Sequence, residues 1–185
     1  MAVGAAAMSM SRGAAAEGLP VASASLQAGL LAKIVSYDRN FSARAIDRAK
    51  LLLVAKSGDG RSLQAVRDIE RAFSSIATVG GLPHSEEVTH FTDAATLAST
   101  CDSHRISIVY LGPGFTGEID GIRQALTSLD VLSVAADPDY VPRGIVLGFA
   151  FVSDSVRMLL NRSQARAQHV SFGSRILSRM TIYDP

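Results

Sequence analysis

With 185 residues, 48% of them hydrophobic, the chain has room for one domain with a sizeable core and none for a second. A formal charge of +1, dispersed basic residues and no tryptophan exclude the cationic stripe and the stacking platform by which proteins hold nucleic acid. The one cysteine, Cys101, excludes an intrachain disulfide, and no run reaches the ~18 to 20 apolar residues that span a bilayer, so direct membrane insertion is not expected.

Residues 1–23 are mostly alanine, glycine, serine and methionine with a single arginine, Arg12. This lacks the basic patch and apolar core of an export leader, although Gly13-Ala14-Ala15-Ala16-Glu17 resembles a small-residue cleavage site. The segment reads as a flexible tail or a degenerate export leader, and residues 24–185 as the single domain. Leu26 to Ile34 reads as the first helix. Tyr37-Asp38-Arg39-Asn40 then interrupts it, either as a recognition edge or as a helix end where Arg39 faces the last carbonyls.

From Leu51 onward, strand-like and helix-like segments alternate, the pattern of a mostly parallel sheet covered by helices on both faces. Leu51 to Ala55 is a buried strand, and Ser57-Gly58-Asp59-Gly60 turns into a helix with Leu63, Val66, Ile69, Ala72, Phe73 and Ile76 on its apolar face. Val79 to Pro83 reads as a loop, Val88 to Phe91 as a short strand and Thr92 to Cys101 as a helix capped by Thr92. Arg105 to Leu111 is predicted as a third strand. Ile119, Ile122, Ala125, Leu126 and Leu129 make the stripe of the next helix, and Val131 to Ala135 is a fourth strand before the turn at Asp137-Pro138-Asp139.

Gly112-Pro113-Gly114-Phe115-Thr116-Gly117 satisfies G-x-G-x-x-G, with Asp137 about 20 residues on, where a ribose-binding acid would stand. The fingerprint belongs after a first strand, however, and this one follows the third. Pro113 also lacks the N–H that a pyrophosphate would need. The loop is therefore read as a turn into a helix, with a nucleotide-binding protein or enzyme as the alternative. Loops after parallel strands share one end of the sheet, so Gly112 to Gly117 and Ala136 to Gly144 are expected to border the best crevice. Phe115, Asp137, Tyr140 and Arg143, with Tyr37 and Arg39 from the polar interruption, are the candidate partner or ligand residues.

His84, Glu86, Glu87 and His90 could in principle ligate a metal, but their spacing is not HExxH and a fourth ligand is wanting, so no metal is assigned. Cys101 reads as a small, semi-buried helix residue with no base to activate it. No G-x-S-x-G, carboxylate pair or triad emerges, so neither catalytic residues nor a cofactor are assigned.

The C-terminal quarter is the most specific. Ile145 to Val152 and Val156 to Leu160 flank Ser153-Asp154 as a tight antiparallel hairpin ending at Asn161. Ser163 is expected to cap a short turn through Gln168, and Gly173-Ser174 to open a last helix burying Ile176 and Leu177. Gly144, these strands, Asn161, Ala165, Ala167 and Gly173-Ser174-Arg175-Ile176-Leu177 resemble the C-terminal signature of the YfiR/HmsC-like family. Leu26 to Ile34, followed by Tyr37 to Phe41, resembles its first helix and aromatic turn. The usual tryptophan of that turn and the paired cysteines of some members are absent, and Arg143 replaces a glycine beside Gly144.

The family comprises small bacterial periplasmic proteins that restrain membrane-bound cyclic-di-GMP synthases. The resemblance implies a non-enzymatic regulator in the periplasm, whose partner is the sensor region of a membrane diguanylate cyclase. A homodimer is a further expectation, and an envelope small-ligand binding protein a further alternative. The fold expected is a three-layer α/β domain, its mostly parallel sheet flanked by helices and extended by the C-terminal hairpin.

Overall fold

The computed structural model describes residues 21–153 and 155–184. Strands β1 (Ala49–Lys56), β2 (His84–Phe91), β3 (Ile108–Leu111), β4 (Leu132–Ala135), β5 (Leu147–Val152), β6 (Ser155–Asn161) and β7 (Met180–Tyr183) form one seven-stranded sheet in the order β2-β1-β3-β4-β5-β6-β7. The pairs from β2 through β5 are parallel, β5 and β6 form the antiparallel hairpin, and β7 returns parallel to β6. The expected mostly parallel sheet with an added hairpin is thus the observed architecture.

A parallel sheet must be covered on both faces, and the alternation of side chains along β1 shows how this is met. Leu51, Leu53 and Ala55 join one buried cluster beneath helices α1 (Ala24–Ile34) and α3 (Gly60–Phe73). Leu52 and Val54 join another beneath α4 (Ala94–Ser103) and α5 (Ile119–Leu126). Three short helices, α2 (Phe41–Ala45), α6 (Arg162–Ala167) and α7 (Ser174–Leu177), complete the chain. The chain runs from β1 outward to β2, then crosses back to β3, so strand order reverses between β1 and β3. Crevices form at such reversals.

Local chemistry moves several boundaries from their expected places. Asp93, not Thr92, caps α4, because its carboxylate accepts the Thr96 N–H at 2.8 Å and the Thr96 hydroxyl at 2.7 Å. That hydrogen bonding holds the Asp93 carboxyl below its ordinary value. Asn161, not Ser163, caps α6 by accepting the Gln164 N–H at 2.9 Å, while its amide donates to Val141 O at 2.9 Å. Arg105 lies in the left-handed region (φ 51°) and closes α4, so β3 starts only at Ile108. β2 begins at His84 because Ala49 of β1 supplies its partner from that point. α7 leaves Ile176 and Leu177 half-buried, and β7 follows it unforeseen. At the hairpin tip Ser153 has φ 47°, and Asp154 lies outside the described residues.

The expected tail, 1–23, lies outside the described residues up to position 20. Of its end, Val21 pairs with Ala150, Ala22 is buried and Ser23 caps α1.

At the amino end of the sheet, the side chain of Arg44 in α2 is 2% exposed and binds the buried Asp38 at 2.7 Å and Asp130 at 2.8 Å. It also donates to His169 O at 3.2 Å. Asp38 in turn accepts the N–H groups of Asn40 (3.2 Å) and Ser171 (2.8 Å). One guanidinium therefore joins the segment after α1, the chain entering β4 and the turn after α6. Removing one partner of a buried pair strands the other, whereas exposed pairs contribute little. Arg44→Met is expected to lower unfolding free energy by about 3 kcal/mol in chemical denaturation. Arg162→Ala, at the exposed Arg162 to Asp184 pair, is expected to change it by less than about 0.5 kcal/mol.

Candidate functional site

The loops after β1, β2 and β3 meet at the carboxyl end of the sheet. A crevice of about 390 Å³ opens there, lined by Lys56, Ser57, Phe91, Thr92, Asp93, Gly117 and Glu118 among others. Lys56, the last residue of β1, forms an ion pair with Glu118, which stands just before α5. The Lys56 ammonium also lies 5.7 Å from the centre of the Phe115 ring, and Phe115 packs edge-on against Phe91 at 5.2 Å. The Ser57 hydroxyl donates to Phe91 O. Glu118 Oε2 is buried with no hydrogen-bond partner, while Oε1 takes the lysine. The crevice is thus lined by the Lys56 to Glu118 ion pair and by Phe91, behind which Phe115 is buried.

The glycine loop forms one wall for a packing reason. A Cβ at Gly112 would sit 2.9 Å from both Ser62 Oγ and Val66 Cγ2, so only glycine lets the loop lie on α3. Gly114 is left-handed, with φ 97°. Two of the loop's amides are used internally: Gly112 N–H donates to Val54 O at 2.9 Å and Phe115 N–H to the Tyr140 hydroxyl at 2.8 Å. Glu118 and Ile119 N–H both donate to Phe115 O. Asp137, placed like a ribose acid, instead accepts the Asp139 N–H at 3.0 Å and caps a 3₁₀ turn. Burial, with the Asp139 charge adding to it, pushes its carboxyl up.

The sequence-derived residues do not share one crevice. Phe115 and Tyr140 are buried in the core, joined by the bond just described, and burial raises the Tyr140 phenol. Arg143 stays at the surface of the same end, donating to Thr116 O at 2.6 Å and to Asp120 at 3.0 Å, so the two expected loops do meet. Tyr37 and Arg39 are exposed at the opposite end of the sheet. There Arg39 N–H donates to Ser171 O at 2.9 Å and Asp38 pairs with Phe172. The loop geometry of α1 carries them away from the carboxyl end, because that helix starts beside Ala136 and Asp137 and runs down the sheet.

Lys56, Ser57, Thr92, Asp93 and Glu118 were not singled out by the sequence. Their shared signal is position: each sits within a few residues of the carboxyl end of a parallel strand, or just before the following helix. The candidate metal residues are divided by strand alternation. His84 bonds Glu86 and, at 2.7 Å, Ile76 O, whereas Glu87 faces His104 at 3.6 Å on the other side. Cys101 is buried in α4, and burial pushes its thiol up to about 12.

The family model described as YfiR/HmsC-like matches residues 24–179. The chain belongs to the YfiR/HmsC-like family. This membership supports a periplasmic regulator role in general. Among the described residues no helix is long and apolar enough to cross a membrane.

Among curated proteins, sequence comparison finds no significant match. Solved structures give the fold. A conserved domain protein from Vibrio cholerae aligns over 87% of this chain and 60% of its own, with TM-score 0.56 and 14% identity. An ABC domain in complex with L-Trp from Streptococcus pneumoniae aligns over 87% and 62%, with TM-score 0.61 and 10% identity. A substrate-binding protein with adhesive properties from Clostridium difficile aligns over 78% and 57%, with TM-score 0.58 and 12% identity. The present chain spans about 60% of the first of these structures.

Two outcomes follow from these contacts. Tyr140→Phe leaves the Phe115 N–H without its acceptor and is expected to cost about 1 to 2 kcal/mol in urea unfolding. Because the thiolate is the reactive form, Cys101 at pH 8 should react with a disulfide reagent on the order of a thousandfold more slowly in the native protein than in the unfolded chain. The native rate should keep rising with pH through the range in which the protein stays folded, because burial holds the thiol above its ordinary value.

Proposed function

We propose that this protein is a non-enzymatic periplasmic regulator that binds the sensor region of a membrane diguanylate cyclase and holds its output low until an envelope signal releases it. The observation that carries this reading is the family match over residues 24–179. The geometry agrees with it in one respect. The glycine loop, the motif closest to cofactor chemistry, directs the Gly112 and Phe115 amides into the protein's own backbone and Tyr140.

A regulator of this kind acts through selectivity, not tightness. It shifts the cyclase only by the difference between its affinities for the active and inactive sensor states, and moving an equilibrium from 1:99 to 99:1 takes about 5.5 kcal/mol of such difference. Contacts with a part of the sensor that is the same in both states would add affinity without inhibition.

A second reading, an envelope small-ligand binding protein, draws on the carboxyl-end crevice. Lys56 and Glu118 line it as an ion pair beside Phe91, a polar pair on an apolar wall of the kind that orients a small ligand.

Cellular cyclic-di-GMP separates the readings. In a strain lacking the gene, the regulator reading expects the level to rise and to return when wild-type protein is restored at its native abundance. Cys101→Ser should restore it equally, since Cys101 is buried in α4 and the chain offers no second cysteine for a redox bridge. An unchanged level on deletion would overturn the proposal and leave the small-ligand reading, to be pursued through ligands lost on Glu118→Gln.

A further inference from the structure

A separate cavity opens on the other face of the sheet from the Lys56 to Glu118 crevice. Its volume is about 220 Å³, and it lies between α1, α3 and the loops that follow β3 and β4. Small side chains leave this room: Ala24 of α1, Ala65 of α3 and Ala136 after β4 meet there, with Ile69 and Pro113 as larger apolar walls. A dry apolar cavity of about 150 Å³ takes one benzene ring, so this one suits a single ring with a short chain attached.

Most polar groups around the cavity are spent on one another. Tyr110 donates its hydroxyl to Gln27 Oε1 at 2.9 Å, and the Gln27 amide donates to Ala22 O at 2.7 Å. Both side chains are buried, so these bonds fix the wall. Asp68, on the α3 side, accepts from Gln64 at 2.8 Å and pairs with Arg71. Asp137 differs. Its Oδ1 accepts the Asp139 N–H, and among the described residues neither a cation nor a further side-chain donor reaches its carboxylate. No lysine, arginine or histidine of the described residues lines the cavity.

A half-buried carboxylate without a counter-ion carries an uncompensated desolvation cost. Burial and the neighbouring Asp139 charge both act against its ionised form, and an ammonium group placed beside it would relieve both. The cavity therefore selects twice, by volume for one ring and by charge for a cation. A ligand that also carried a carboxylate would find no cation to receive it and would meet the Asp68 and Asp137 charges. An amine is thus favoured over the corresponding amino acid.

We propose that this cavity binds a primary amine bearing one ring-sized apolar body, with the ring held between α1 and α3 and the ammonium on Asp137. The site is not the crevice of the small-ligand reading, since its walls belong to the buried cluster beneath α1 and α3, whereas Phe91 belongs to the cluster on the opposite face. It is also independent of the cyclase reading.

Titration calorimetry of the full chain with phenethylamine, free phenylalanine and phenethyl alcohol tests it. The amine should bind saturably with a Kd below about 1 mM, and the amino acid and the alcohol about tenfold more weakly or worse, the factor that a charge-assisted hydrogen bond contributes. Asp137→Asn keeps an acceptor for the Asp139 N–H and so keeps the turn, yet should weaken the amine by about tenfold or more. Ala65→Leu should fill the cavity and abolish binding while the circular dichroism spectrum stays that of the parent. Glu118→Gln, in the other crevice, should leave the affinity within about twofold. A Kd above about 1 mM overturns the proposal, as does phenylalanine or the alcohol binding as tightly as the amine. Affinity that survives Asp137→Asn or a folded Ala65→Leu also overturns it, and so does binding lost in Glu118→Gln.

Discussion

Burial of a parallel sheet on both faces is the constraint from which the rest follows. Strands whose two sides are both apolar, as in Leu51 to Ala55 and Ile108 to Leu111, cannot face water on either side, so helices must cover each. α1 and α3 cover one face, α4 and α5 the other, and the crossing from one to the other makes the reversal between β1 and β3. That reversal gathers Lys56, the Asp93 cap and Glu118 at one end. Two sheet edges remain. β7 occupies one of them, and the other is the side of β2 that no strand among the described residues pairs.

A second constraint operates at the amino end, where chain segments distant in sequence must be held together without a disulfide. Arg44 does this with charge, drawing Asp38, Asp130 and His169 O to one buried guanidinium. Buried ion pairs of this kind specify an arrangement more than they add stability, since their desolvation offsets much of their attraction. The candidate recognition residues Tyr37 and Arg39 flank Asp38, so this arrangement also fixes how they are presented to solvent.

Much of the fold was legible because it rests on local pattern. β1, α3 and the β5 to β6 hairpin follow from continuous apolar runs, helical spacing and a polar turn, whereas the capping of α3 by Asp59 is read only from the structure. What escaped depends on contacts between distant parts. β7 is four half-exposed residues whose pairing with β6 no local signal announces. The choice of Asp93 over Thr92, and of Asn161 over Ser163, turned on which side chain could reach an amide two or three residues ahead. Phe115 and Tyr140 looked like crevice residues because they sit in loops, yet one hydrogen bond between those loops buries both. Lys56 and Glu118 carried no motif, and only the sheet order brings them together.

For the proposed function, the sequence and the geometry divide the work. Family membership supplies the class of role, and the structure supplies surfaces on which a partner would have to discriminate between two states of itself. The most direct measurement reconstitutes each membrane diguanylate cyclase of the source organism in lipid vesicles with its sensor region accessible, adds this protein, and follows cyclic-di-GMP synthesis. A regulator that selects the inactive sensor lowers the rate of one cyclase in a saturable manner. Synthesis that stays unchanged for every cyclase at saturating protein would contradict the account.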